Sequence, residues 1–146
     1  MTSPICVDAG ILLKLVLQEP DSHLAEALWQ SWINAGVQPV APQLFPFEVT
    51  AVLRKLTYRG LIQTEIAEKM LEKALQFDVA LQTFDGIHAR AWQLATEFGR
   101  PTAYDTHYLA LAEHLGCAFW TADLRLFNAV SEKLNRVHFL GNFKVS

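Results

Sequence analysis

Short β-favouring runs alternate with longer helical segments along the chain, and this alternation constrains the fold most. The predicted strands span 5–7, 37–41, 79–82, 117–121 and 137–140. Between them, apolar residues recur at the three- and four-residue spacing of amphipathic helices. Such an order favours a parallel sheet with helices on both faces. Because 146 residues suit one domain, residues 1–146 are predicted to form a single α/β domain.

Two helices carry the clearest boundary signals. Pro42 is predicted to open the first, and Gly60 follows its end as a C-cap candidate. Its predicted buried face consists of Phe45, Val49, Val52 and Leu56. Thr102 is predicted to cap the second, which Gly116 closes. The buried stripe of that helix is predicted to be Tyr104, Tyr108, Leu111 and Leu115. Trp29, Trp32 and Phe47 are predicted to lie in the core together with Phe45.

The bulk composition excludes several classes of protein. No apolar run approaches the roughly 20 residues of a membrane span, and the N-terminus lacks the basic region of a signal peptide. Cys6 and Cys117 have no second ligand at metal-binding spacing, so they are predicted to be reduced core thiols of a cytoplasmic protein. The net charge of −3 argues against nucleic-acid binding by bulk electrostatics alone.

Four carboxylates stand apart from the other charged residues: Asp8, Glu48, Asp105 and Asp123. Each is the lone charge in an apolar stretch or ends such a stretch; Glu48, for example, is the only charged residue in 27–53. An acid in apolar surroundings must be capped, paired or metal-bound, because burying a bare carboxylate costs several kcal/mol or forces its protonation. Four such acids in one small domain indicate one shared acidic pocket.

The predicted order of elements brings these acids to one edge of the sheet. Asp8 follows the first strand, and Asp123 follows the fourth. Glu48 lies early in the helix after the second strand, and Asp105 lies in the first turn of the helix before the fourth. Ligands of open α/β sheets bind at the carboxyl ends of the strands. The sequence therefore predicts that all four side chains converge there.

Carboxylates without neighbouring histidine or cysteine ligands suit Mg²⁺ or Mn²⁺. The hydroxyls of Thr121 and Thr106 are predicted to contribute to the same site. Each acid also has a purely structural interpretation: Asp8 and Asp123 suit helix N-caps, and Asp105 complements a helix N-terminus. Glu48 is the hardest to explain structurally, because glutamate is a poor N-cap.

Four stretches resemble the PIN-domain family, and most of all its VapC-type toxins. These are Ile5 to Ala9 with Leu12 to Leu15, Pro42 to Leu53, Ala103 to Ala112, and Trp120 to Leu126. The resemblance covers nearly the whole chain in the right order. It implies a three-layer α/β/α sandwich with a central parallel sheet. Position 10 is glycine, where relatives often carry Ser, Thr or Asn.

The resemblance further implies a Mg²⁺- or Mn²⁺-dependent ribonuclease, usually a homodimer, that an antitoxin protein inhibits. By this likeness Asp8, Asp105 and Asp123 hold one or two metal ions, and Glu48 acts as a ligand or positions water. Thr121 matches the small hydroxyl residue two positions before the last acid. The candidate cations for contacts with the RNA backbone are Lys14, Arg54, Lys55, Arg59, Arg100 and Arg125.

Three alternative functions fit the sequence less well. A haloacid-dehalogenase-type enzyme needs a second aspartate at position 10, and a response-regulator receiver needs an acid after the third strand; both are missing. A catalytically impaired PIN fold that binds protein or RNA agrees with Gly10 but not with the presence of all four acids. For Arg54, Lys55 and Arg59, the solvated end of a helix is an equally good interpretation.

Overall fold

The computed structural model describes residues 3–145 and contains five strands, seven α-helices and a short 3₁₀ turn within that range. The strands are β1 (Pro4–Val7), β2 (Gln38–Pro42), β3 (Ala80–Gln82), β4 (Phe119–Thr121) and β5 (Val137–Phe139). The helices are α1 (Ala9–Val16), α2 (Ser22–Ala35), α3 (Phe45–Tyr58), α4 (Thr64–Leu75), α5 (Ile87–Glu97), α6 (Tyr104–Leu115) and α7 (Leu124–Val130). Every predicted strand is present within two residues of its predicted bounds.

All strand pairs are parallel, and the strand order is β3-β2-β1-β4-β5. The chain moves outward from β1 to β3 and then returns to β4, so right-handed crossovers place α1 to α4 on one face and α5 to α7 on the other. Consistently, α1 packs against α2, α3 and α4, and α5 packs against α6. The predicted three-layer α/β/α sandwich is confirmed.

The reversal of direction between β1 and β4 creates a topological switch point in the middle of the sheet. In open α/β sheets, the crevice beyond the carboxyl ends of the strands at such a point is where ligands bind. Asp8 follows β1 and Asp123 follows β4. The fold therefore places two of the four predicted acids beside each other at the position most suited to a ligand.

The core is a continuous apolar cluster on both faces of the sheet. The cluster includes Trp29, Trp32 and Phe45, as predicted, and Cys6 is fully buried with a free thiol. Cys117 is also free but only half-buried. No helix within residues 3–145 is both long and apolar enough to cross a membrane.

Two predicted core aromatics lie on the surface instead. Phe47 is 76% exposed and Tyr104 is 65% exposed. The buried face of α3 is Phe45, Val49 and Leu53, a strict four-residue spacing. Phe47 lies two residues after Phe45, roughly 200° around the helix, so it faces away from that stripe. Val52 borders the stripe and is 38% exposed, so the prediction of Val52 as a core residue was wrong too. Tyr104 is the first residue of α6 and lies beyond the region where the helix meets the sheet.

Two predicted helix starts were displaced by a few residues. Pro42 is the last residue of β2, and α3 begins at Phe45. The reason is that proline confines the preceding residue to an extended conformation, which continues a strand. The N-cap of α6 is Ala103 rather than Thr102, and no side-chain hydrogen bond caps that helix. The predicted end at Gly116 is confirmed, with a left-handed φ of 64° that glycine tolerates.

Candidate active site

Asp8 is fixed at the end of β1 by three hydrogen bonds. Its Oδ1 accepts from the backbone N–H of Ile11 at 3.0 Å, which caps α1. Its Oδ2 accepts from the hydroxyl of Thr121 at 2.5 Å and from the N–H of Ala122 at 3.2 Å. Burial raises the pKa of Asp8 to about 6, although these hydrogen bonds oppose the rise; the charge of Asp123 adds to it. The site thus contains a carboxylate whose charged form is costly to keep.

Asp123 caps α7 and is linked to Asp8 through Thr121. Its Oδ1 accepts from the N–H of Leu126 at 3.1 Å, and its own N–H donates to Thr121 Oγ1 at 3.0 Å. The same Thr121 hydroxyl donates to Asp8, so one side chain sets the spacing of both acids. The capping interpretation of Asp123 is confirmed. Capping engages only one carboxylate oxygen, so it is compatible with a second role.

Glu48 lies in the first turn of α3 and is held by a residue 60 positions later. The hydroxyl of Tyr108 donates to Glu48 Oε1 at 2.5 Å. Among residues 3–145, Glu48 forms no ion pair. Burial raises the pKa of Glu48, and the charges of Asp8 and Asp105 raise it further, while the bond from Tyr108 opposes them. The charges of Asp8 and Asp105 therefore both disfavour the ionised form of Glu48.

Asp105 lies in the first turn of α6 and is paired with a cation from the preceding loop. Its Oδ2 accepts from Arg100 Nε at 3.1 Å and lies 3.0 Å from Arg100 Nη2. Its Oδ1 is buried without a hydrogen-bond partner. Among residues 3–145 it is the only buried side-chain oxygen or nitrogen that lacks one. Buried polar atoms are nearly always satisfied, so an orphaned oxygen needs an explanation. A missing ligand is one such explanation.

All four acids line one cleft of about 370 Å³ at the switch point. The remaining wall is largely apolar and includes Leu13, Val52, Phe119 and Leu126. The prediction that these acids meet at one edge of the sheet is therefore fulfilled by the geometry. Apolar walls lower the local dielectric and strengthen interactions between the acids and any bound cation.

The two predicted hydroxyl residues behave differently. Thr121 is fully buried and positions Asp8, as described above. Thr106 is also fully buried, but its hydroxyl donates to the carbonyl of Ala103 at 3.1 Å, and it does not line the cleft. The structure thus gives Thr106 a role at the start of α6 and no contact with the acids.

The oxygen atoms of the cleft suit a divalent cation in chemical type. Hard cations prefer carboxylate and hydroxyl oxygens, which is what the cleft offers. As placed, however, no three His, Cys, Asp or Glu side chains within the described range are grouped closely enough to hold an ion. Protein donors hold the carboxylates, and Arg100 supplies positive charge to Asp105. The oxygen ligands suit a metal ion, and the unpartnered Oδ1 of Asp105 could accept one. The ion would have to compete with Arg100 for Asp105.

Two residues of the site were missed as partners of the acids. Tyr108 was predicted only as part of the buried stripe of its helix, and Arg100 only as a contact for RNA. The signal for Tyr108 is its position three residues after Asp105, which puts both on one helical face. No local pattern indicates that Arg100 turns back onto Asp105, since a loop residue has no fixed periodicity.

Gly10 lies in the first turn of α1 beside the acids. A Cβ at this position would lie 3.3 Å from both Asp8 Oδ1 and the Cβ of Ala122. A side chain here is therefore crowded, which gives a packing reason for the glycine in this chain.

Comparison with known proteins agrees with this architecture. The family model described as PIN domain matches residues 5–133. A VapC ribonuclease of Mycobacterium bovis is 34% identical over 122 residues, covering 84% of this chain and 87% of the relative. Ribonuclease VapC3 of Pyrobaculum aerophilum is 32% identical over 124 residues, covering 84% and 91%.

Solved structures share the fold at lower identity. The crystal structure of PAE2754 from Pyrobaculum aerophilum superposes with a TM-score of 0.68 at 22% identity, covering 97% of this chain and 93% of that one. The Mycobacterium tuberculosis toxin VapC20, described as cleaving the sarcin-ricin loop, gives a TM-score of 0.63 at 16% identity, covering 86% and 95%.

Proposed function

This chain belongs to the PIN domain family, and from that premise we propose that it is a VapC-type ribonuclease that hydrolyses RNA phosphodiester bonds in the acidic cleft. The alignments with the relatives named as ribonucleases cover most of each relative and most of this chain. The observation that carries the proposal is the convergence of Asp8, Glu48, Asp105 and Asp123 on one cleft from four separate elements. A stable fold alone does not need four acids in one place, since like charges repel each other there.

The proposed cofactor is Mg²⁺ or Mn²⁺, held by Asp8, Asp105 and Asp123, with Glu48 beside them. When bound, such an ion supplies a Lewis acid that acidifies water and offsets negative charge on the phosphate. The orphaned Oδ1 of Asp105 and the all-oxygen donor set support this assignment. Arg100, which is paired with Asp105 Oδ2, would compete with the cation for that carboxylate.

The chain's own residues supply orientation and proton transfer. The hydroxyl of Thr121 keeps Asp8 and Asp123 in a fixed relation. Because Asp8, Asp105 and Asp123 are assigned to the cation, we propose that Glu48 accepts the proton of the attacking water; burial and its acidic neighbours raise the pKa of Glu48, which suits that role. Tyr108 occupies Glu48 Oε1, so the proton would be taken up at Oε2.

Two cations are candidates for contact with an RNA backbone at the cleft. Lys14 lines the cleft and is paired with Asp21 at 2.8 Å. Arg125 is exposed and lies two residues after Asp123. We propose that these side chains contact phosphates. Arg54, Lys55 and Arg59 are exposed on the far part of α3 and its end, which suits the solvated-end interpretation.

The proposed partners follow the family. We propose that the protein forms a homodimer, that an antitoxin protein inhibits it, and that it acts in the cytoplasm. The free thiols of Cys6 and Cys117 support a reducing compartment.

The test is cleavage of a fluorescent single-stranded RNA of mixed sequence by the purified chain with Mn²⁺ or Mg²⁺. Cleavage is expected to stop with EDTA and to fall at least ~100-fold in Asp8→Asn and in Asp105→Asn, because even residues that only support metal ligands contribute 10–100-fold. Asp85→Asn is the matched control, since Asp85 is exposed and outside the cleft. Cleavage that persists in both cleft variants would refute the assignment.

The rival function, a PIN fold that only binds protein or RNA, predicts a different titration. A pure binding module needs no cation at these acids. Calorimetric titration with Mn²⁺ would then give the same heat for the wild type and for Asp8→Asn. The ribonuclease proposal predicts such a heat and its loss in the variant.

A further inference from the structure

Among residues 3–145, Tyr108 is the one aromatic side chain that donates a hydrogen bond to an acid of the cleft. It is 2% exposed and lies in α6, three residues after Asp105. Its ring stacks on Phe119 of β4, with ring centroids 5.6 Å apart and planes inclined by 23°. A buried ring stacked on the central sheet has little freedom to rotate. Its hydroxyl therefore occupies a fixed point in the floor of the cleft.

Glu48 depends on that fixed point. Its side chain has three rotatable bonds, so holding it in one rotamer costs conformational entropy. Within the described residues, its carboxylate has no ion pair and accepts a hydrogen bond only from Tyr108. Asp8, by contrast, accepts two bonds from backbone N–H groups. Without the phenol, nothing in the described chain selects the rotamer that keeps Glu48 in the cleft.

We propose that Tyr108 is a positioning residue, which holds Glu48 Oε1 so that Oε2 remains available to a cation or to water in the cleft. The inference deepens the proposed ribonuclease function and rests on it. It extends that function by assigning to a core tyrosine a part in forming the site. The same helix thus provides a carboxylate, Asp105, and the donor that orients a second carboxylate from α3.

A competing explanation is that Glu48 merely satisfies the buried hydroxyl of Tyr108. The two explanations predict different results for Tyr108→Phe, which keeps the stack on Phe119 and removes only the hydroxyl. If Tyr108 positions Glu48, the Kd for Mn²⁺ should weaken by about 10-fold, and kcat should fall while KM for RNA stays unchanged. If the contact serves packing alone, thermal stability changes but the Kd for Mn²⁺ does not.

The experiment measures Mn²⁺ binding by calorimetry and RNA cleavage on the full chain. Tyr104→Phe is the matched control, because Tyr104 lies one turn earlier on α6 and is 65% exposed. A double-mutant cycle adds the decisive comparison: in a Glu48→Ala background, Tyr108→Phe should cause no further loss of Mn²⁺ affinity. Glu48→Asp, whose shorter side chain withdraws from the phenol, should weaken Mn²⁺ binding in the same direction without touching the core.

The outcomes separate this inference from the function on which it rests. If the wild-type chain binds Mn²⁺ and cleaves RNA but Tyr108→Phe behaves like Tyr104→Phe, the positioning role is wrong and the ribonuclease proposal stands. An undiminished loss in the Glu48→Ala background also overturns the positioning role. If Mn²⁺ binds and depends on Tyr108 but RNA is not cleaved, the substrate is wrong and the positioning role stands. A wild-type chain that binds no Mn²⁺ overturns both.

Discussion

The acids of the cleft fall into two pairs that are held by different parts of the protein. The strand-end pair, Asp8 and Asp123, accepts hydrogen bonds from backbone N–H groups at the starts of α1 and α7. The helix pair, Glu48 and Asp105, is held by the side chains of Tyr108 and Arg100. Backbone donors are fixed by the fold itself, whereas side-chain donors are lost through one substitution.

This difference shows how one site combines two sources of rigidity. The strand-end pair is in place once β1 and β4 are paired and their helices begin. The helix pair is in place only when α3, α6 and the loop before α6 have packed together. We therefore expect the strand-end pair to tolerate changes around it except at Thr121, whose hydroxyl links both acids. We expect the helix pair to depend on each supporting residue.

The largest expected effect is the response of stability to pH at Asp8. Its pKa is about 6 in the folded chain and 3.8 in the unfolded reference, so the folded state binds more protons between these values. Stability from this group is fully present below pH 3.8 and is lost as pH rises through 6, by about 3 kcal/mol. In the metal-free chain, urea unfolding measures this effect. The free energy of unfolding of Asp8→Asn relative to the wild type should rise by up to that amount between pH 4 and 7.5.

Asp85→Asn is the control for this series and should follow the wild type throughout, because Asp85 is exposed. Parallel stability curves for the wild type and Asp8→Asn would mean that backbone donors fully offset the burial of Asp8. The same protonation competes with a cation, so Mn²⁺ affinity in the wild type should fall as pH drops below about 6.

The next effect separates the two roles of Asp123. Serine is as good an N-cap as aspartate, so Asp123→Ser should keep the bond to the N–H of Leu126 and leave Tm unchanged. RNA cleavage should still fall by roughly 10–100-fold, because the carboxylate is gone. Asp123→Ala should add a loss of about 1 kcal/mol in stability. Full activity in Asp123→Ser would show that the carboxylate of Asp123 is not needed for cleavage and that Asp8 is the only functional acid of the strand-end pair.

A smaller effect is expected at the support of the helix pair. Arg100→Gln should destabilise the metal-free chain by roughly 1–3 kcal/mol, because it leaves the half-buried carboxylate of Asp105 without its cation. Mn²⁺ should restore much of this loss by supplying the missing positive charge. Thermal melting of both proteins with and without Mn²⁺ measures the recovery.

The matched control for this experiment is Arg90→Gln. Arg90 pairs with Glu113 on the surface at 2.6 Å, where ion pairs contribute about 0–1 kcal/mol. Mn²⁺ should not change its effect. An Arg100 variant whose loss of stability is unaffected by Mn²⁺ would indicate that Asp105 and a cation do not meet.

The smallest effect is expected at Gly10, beside the strand-end pair. Replacing glycine by alanine inside a helix gains up to about 1 kcal/mol, but the new Cβ would lie 3.3 Å from Asp8 Oδ1 and from the Cβ of Ala122. These terms oppose each other, so Tm of Gly10→Ala should change little. A loss of stability well above 1 kcal/mol would show that Asp8 cannot move to accommodate the new methyl group, although its hydrogen bonds come mainly from the backbone.

Local sequence signals were sufficient for the parts of the fold that depend on chain neighbours. Asp123 was predicted as a possible cap because aspartate before a helix has a donor within three residues. The five strands and the end of α6 at Gly116 follow from the same kind of short-range rule. The prediction of Phe47 as a core residue was wrong because a residue two positions after Phe45 lies on the opposite side of α3.

The sequence by itself determined the alternation of strands and helices, the isolation of four acids, and their positions at strand ends and helix starts. Only the tertiary structure decided the strand order, which puts β4 beside β1 and so Asp123 beside Asp8. It also decided that Tyr108 reaches Glu48 and that Arg100 turns onto Asp105. The physical reason for Tyr108 and Glu48 is range: caps and periodicity act within a few residues, whereas a contact across 60 residues exists only after the layers have packed. Arg100 is close to Asp105 in sequence, but it lies in a loop whose path has no fixed periodicity.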